Sequence, residues 1–138
     1  MKDLDHVSDF LKEIRNRTDS KKILVIGGGG NQNGSVSSSL EILECGLLKD
    51  NDFEEIGIAG HPEGSPDIDQ NTVNKFLDKK YELSKNKNLN LELVTQFFFN
   101  AEPFIKWCKF LNSSNIKLPV RVGFPGPASF KTLLNFGI

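Results

Sequence analysis

Four short apolar runs punctuate the chain, at Ile23 to Ile26, Ile56 to Ala59, Leu91 to Phe97 and Val120 to Phe124. They begin 33, 35 and 29 residues apart, which leaves room for one helix in each interval. Apolar residues recur there at helical spacing: Val36, Leu40, Leu43 and Leu47, then Val73, Phe76, Leu77 and Leu83, then Phe104, Ile105, Cys108 and Leu111. A further stripe, Leu4, Val7, Leu11 and Ile14, predicts a helix before the first strand, and Phe130, Leu133 and Leu134 begin another at the end. Strands that alternate with helices and are apolar on both faces imply a parallel sheet covered by helices. The expected class is α/β, built from parallel βα units in one domain over residues 1–138. Two architectures satisfy the rhythm: an open doubly wound sheet, or part of a (β/α)₈ TIM barrel, whose full form takes about 250 residues. A start on a helix and a finish in mid-pattern predict a piece of a larger unit. The polar stretch Ser84 to Asn90 reads as a short αβ loop.

Composition narrows the function. With 38% hydrophobic and 25% charged residues in 138, the chain can bury one ordinary core. Its 17 basic and 18 acidic residues leave a formal charge of −1, so neither nucleic acid nor a membrane is expected as a partner. No segment has the length of a membrane span, and the first residues lack the basic start and apolar core of a signal peptide, which predicts a cytoplasmic protein. Cys45 and Cys108 have no second cysteine or histidine at metal spacing. Both are expected as buried thiols, and no metal site is expected. Composition leaves a homo-oligomer open.

Chemistry concentrates where strands end. The loop Gly27 to Ser35 follows a strand and precedes a helix, so its amides could hold an anion, with Ser37 or Ser38 as helix cap. It has neither the lysine of a Walker A loop nor the G-x-G-x-x-G spacing of a dinucleotide fold, and a flexible turn explains it equally well. In GIAGHPEGSP, residues 57–66, Ala59 and Gly60 remove bulk at the strand end so that a flat ring could lie close. His61, Glu63 and Ser65 offer polar contacts around it, while Pro62 and Pro66 stiffen the turn. His61 beside Glu63 could work as an acid/base pair, or the loop could simply bond its own backbone. In VTQFFFNAEPF, residues 94–104, Thr95 and Gln96 interrupt an apolar strand. Gln96 presents a donor and an acceptor, suited to the mixed edge of a pterin-like heterocycle, whereas the three phenylalanines that follow read as core packing. Lys79 and Lys80 lie late in the next helix, either as a solvated cationic face or with one of them reaching a diphosphate.

Taken in order, the Gly-rich loop, GIAGHPEGSP, VTQFFFNAEPF and VRVGFPGPASF at residues 120–130 resemble the methylenetetrahydrofolate reductase family, in a divergent, reductase-like branch. The resemblance runs from about Leu4 to the end and covers the middle of the family's TIM barrel, about its strands 4 to 7. It implies an FAD-dependent oxidoreductase of one-carbon metabolism and methionine biosynthesis, which reduces 5,10-methylenetetrahydrofolate to 5-methyltetrahydrofolate with NAD(P)H as co-substrate. It implies that Gly27, Gly28, Ser37, Ser38, Ala59, His61, Ser65 and Lys80 contact the flavin cofactor, His61 and Ser65 standing where the family has tyrosine and histidine. Gln96 and Thr132 would bind the folate substrate. No catalytic acid is identifiable, because the family's glutamate belongs to a first strand that this chain does not contain and Gly29 replaces the family's aspartate. A folate- or flavin-binding protein of the same fold without catalysis is the alternative.

Overall fold

The computed structural model describes residues 2–27, 36, 38–65, 68–124 and 126. The element order is α1 (Lys2–Arg17), β1 (Lys22–Val25), α2 (Ser39–Glu44), α3 (Leu47–Asp50), β2 (Glu55–Gly60), α4 (Gln70–Lys87), β3 (Asn90–Phe97), α5 (Ala101–Ser113) and β4 (Val120–Gly123). All strand pairs are parallel, and the order across the sheet is β1-β2-β3-β4.

That order decides between the two architectures. A doubly wound sheet reverses its strand order at a switch point and so covers both faces. A parallel sheet wound always in one direction, with right-handed crossovers, places every helix on the same face. The core bears this out: Leu11 of α1, Leu43 of α2, Leu48 of α3, Leu77 of α4 and Leu111 of α5 join Val25, Ile56, Ile58, Leu91 and Leu93 in one cluster. This α/β arrangement of a parallel four-stranded sheet is consistent with part of a (β/α) barrel.

The strands are therefore not apolar on both faces, as their composition suggested. Register aligns Ile56 with Leu91 and Ile58 with Leu93 on the helix-covered face, where all four side chains are almost wholly buried. The opposite face carries charge: Lys22 pairs with Glu55 at 2.6 Å, and Arg121 holds Glu92 through two bonds of 3.0 and 2.8 Å. The cationic partners are largely exposed, so these pairs contribute little to stability. Gly57 sits among them because an added Cβ would lie 3.0 Å from both Leu24 and Val94, which close over it.

Three local differences have simple causes. The helix expected from Val36 to Leu47 is two short helices, parted at Gly46, whose φ of 86° is left-handed. The stretch Ser84 to Asn90 is not a loop throughout, since α4 runs to Lys87 and stops where Asn88 adopts φ 51°. Lysine is a good helix former and asparagine tolerates the left-handed cap, so polarity there marked exposure rather than a break. Cys45 and Cys108 are half-buried rather than buried. Asp69 starts α4 by accepting from the Thr72 amide at 3.1 Å, and Asn100 starts α5 by accepting from Glu102 at 3.0 Å. The helix expected after β4 lies outside the described residues. No described helix is long and apolar enough to cross a membrane.

Candidate functional site

The C-terminal ends of β2 and β3 open into a cleft of about 400 Å³ lined by Gly60, the turn His61 to Ser65, and Gln96, Phe97 and Phe98. Its volume suits a small-molecule ligand. The two strand-end motifs, separated by 27 residues of sequence, meet here because parallel strands in register end together: Gly60 pairs with Thr95.

The floor is set by a missing side chain. A Cβ on Gly60 would stand 2.7 Å from the indole of Trp107, which rises from α5 and is buried. Glycine therefore lets the tryptophan close the cleft from below. The first wall is a tight turn, in which the Gly64 amide donates to the His61 carbonyl at 3.1 Å and Gly64 holds φ 84°. Pro62 suits the second position of such a turn. This is the backbone-bonded loop expected of the segment, and it still leaves the His61 and Ser65 side chains on the cleft.

The second wall is aromatic. Phe97 and Phe99 form an edge-to-face pair at 5.8 Å and are exposed, whereas Phe98 stacks on Phe104 at 5.1 Å. The expectation that the three phenylalanines are core packing is thus corrected for two of them. Phe97, at the end of β3, lines the cleft, and Phe99, paired with it, is exposed.

Burial and one neighbouring cation shape the electrostatics at His61. Burial, and then the charge of Lys80, hold the His61 imidazole below its ordinary value, while burial lowers the Lys80 ammonium. Lys80 makes no salt bridge or hydrogen bond among the described residues. Lys79, by contrast, is exposed beside the Phe76 ring, so the two lysines have separate surroundings. His61 is consequently neutral near neutral pH, able to donate at one ring nitrogen and accept at the other.

A measurable pH dependence follows. Because the unfolded chain binds the His61 proton more tightly than the folded one, stability rises with pH through the interval from the folded to the unfolded value, which lies below about 6.5. The urea midpoint should fall between about pH 7.5 and about pH 5.5, and His61→Gln should remove a clear part of that fall. An equal slope in both proteins would contradict the depressed value.

Of the residues expected at the site, His61, Ser65 and Gln96 line one cleft, and Lys80 stands within electrostatic reach of His61. Ala59 is half-buried one residue inside β2. Gly27 lies just beyond β1, and Ser38 occupies the cap position of α2 without a side-chain capping bond. Gly28, Gly29, Ser37 and Thr132 lie outside the described residues. Trp107, Phe97, Phe98 and the buried Thr95 were not foreseen as site residues. Only Thr95 left a signal, as a polar residue on the inward phase of a strand. No group of three or more histidine, cysteine or acidic side chains among the described residues could hold a metal ion.

No family model matches the chain. It is 31% identical over 72 residues to methylenetetrahydrofolate reductase 2 of Saccharomyces cerevisiae, covering 52% of this chain and 12% of that protein. It is 36% identical over 77 residues to methylenetetrahydrofolate reductase 1 of Schizosaccharomyces pombe, covering 55% of this chain and 11% of that protein. The chain thus spans about one-eighth of the length of either curated relative. It has partial homology to methylenetetrahydrofolate reductases.

Proposed function

We propose that this chain forms the central part of a cytoplasmic, flavin-dependent reductase that converts 5,10-methylenetetrahydrofolate to 5-methyltetrahydrofolate with NAD(P)H. The observation that carries the reading is the meeting of His61 and Gln96 in one cleft, from two motifs that resemble the same family. Partial homology to the two yeast reductases supports it.

The residues present fit an FAD. The cleft beside Gly60, about 400 Å³ in volume, leaves space at the strand end for a ring, and Lys80, which has no carboxylate partner among the described residues, suits a phosphate. His61, Ser65 and Lys80 would hold the flavin, with Gly27 and Ser38 beside it. The bound flavin would supply hydride transfer between nicotinamide and folate. The chain's own part is to bind and orient. The neutral His61 can donate to or accept from the ring, and the Gln96 amide can pair with the donor/acceptor edge of a pterin. Phe97 and Phe98 exclude water from that side of the cleft.

The test is anaerobic absorbance of the whole protein that carries this chain, purified and reconstituted with FAD. NADH or NADPH should bleach the flavin, and methylenetetrahydrofolate should restore it. Bleaching that this folate does not reverse would leave a flavoprotein with another acceptor. Binding of flavin and folate without bleaching would leave a binding protein, and no flavin binding would overturn the reading.

A further inference from the structure

Gln96 and Phe97 both line the cleft, although successive residues of a regular strand point to opposite faces. The pairing of β3 with β4 explains it. Val94 stands opposite Arg121 and Phe97 opposite Gly123, with a register shift between them. Two residues of β3, Thr95 and Gln96, therefore face the single Val122 of β4. This is a β-bulge, which breaks the alternation and re-aims side chains.

Two contacts fix that bulge. The Thr95 hydroxyl, on a residue 5% exposed, accepts the Gly123 amide at 3.0 Å. The Gly123 backbone also lies directly on the main chain on both sides of the Gln96 Cα, since a Cβ there would stand 2.6 Å from the Thr95 carbonyl oxygen and 2.8 Å from the Gln96 carbonyl carbon. On the other side, Thr95 remains in regular register with Gly60. The peptide before the Gln96 side chain is thus held between the end of β2 and the end of β4.

We propose that Thr95 is a positioning residue, whose hydroxyl holds Gly123 and with it the bulge that turns Gln96 and Phe97 into the cleft together. A purely packing role would need only the shape of the side chain, which valine reproduces. The hydroxyl is the distinguishing atom. As far as it concerns ligand binding, the inference rests on the pterin-reading role of Gln96; as far as it concerns the orientation of Gln96, it stands on the bulge alone.

The experiment compares Thr95→Val, Thr95→Ser and the wild-type chain in two measurements: binding of 5-methyltetrahydrofolate, followed by fluorescence of the single tryptophan, and the NMR signals of the Gln96 side-chain amide. Thr95→Val should weaken binding about tenfold, as loss of one buried hydrogen bond does, while Thr95→Ser stays within about threefold of wild type. The Gln96 amide signals should move or broaden in Thr95→Val and hold their places in Thr95→Ser. Binding and signals unchanged in Thr95→Val, or equal loss in both variants, would overturn the proposal. If the wild-type chain does not bind this folate, the functional reading fails and the Gln96 signals alone decide the positioning role. If Thr95→Val does not fold, hydrogen exchange of the Gly123 amide in the wild type decides. Protection supports the bond, and exchange as fast as in exposed loops overturns it.

Discussion

Trp107→Ala is expected to cost about 3–5 kcal/mol of folding stability, the range for removing a large buried aromatic side chain. A domain of this size is stable by only about 5–15 kcal/mol, so the variant should lose roughly a fifth or more of its margin. Trp107 is buried, neighbours Phe104 at 6.2 Å between ring centroids, and covers Gly60 at the end of β2. Its removal therefore opens a cavity directly beneath the cleft. Urea unfolding followed by circular dichroism measures the loss, since the substitution deletes the chain's one tryptophan fluorophore. The same geometry predicts coupling: Gly60→Ala should destabilise the wild type by about 1–3 kcal/mol through overpacking and much less in the Trp107→Ala background. Additive effects would show that the indole does not set the space at Gly60.

The second large effect concerns ligand chemistry. Gln96→Ala should lower folate turnover about a hundredfold, because a pterin edge left without its paired donor and acceptor forfeits about 2–3 kcal/mol, while flavin retention changes little. The discrimination is geometric. Gln96 belongs to the β3 wall of the cleft and His61 to the β2 wall, so one side chain can be removed without disturbing the other wall. Parallel measurements of bound flavin and of turnover check it, and equal loss of both would count against a pterin-reading role. His61→Gln is the natural contrast, expected to change flavin binding before folate turnover.

Much of this is legible in the sequence. The apolar runs mark the four strands to within one or two residues, because strands in a one-core domain must bury their side chains and few other segments do. Gly60, His61 and Gln96 were legible as site candidates for a related reason: small and polar residues at the end of an apolar strand cost stability unless they are used. What failed to show was whatever depended on the neighbour across space. Phe97 and Phe99 read as core, since hydrophobicity alone cannot tell an exposed aromatic from one beneath a helix. Lys79 and Lys80 read alike, and only packing leaves one exposed and the other half-buried beside His61.

By itself, then, the sequence determined the α/β class, the order of elements and the two strand-end motifs, because these follow from local periodicity and from the backbone demands of turns. The tertiary structure decided the single winding direction that places all helices on one face, the meeting of His61 with Gln96, and the bulge that aims Gln96 and Phe97 together. Those features depend on pairing between strands roughly thirty residues apart. Register across that distance is a property of the packed sheet, and no window along the chain encodes it.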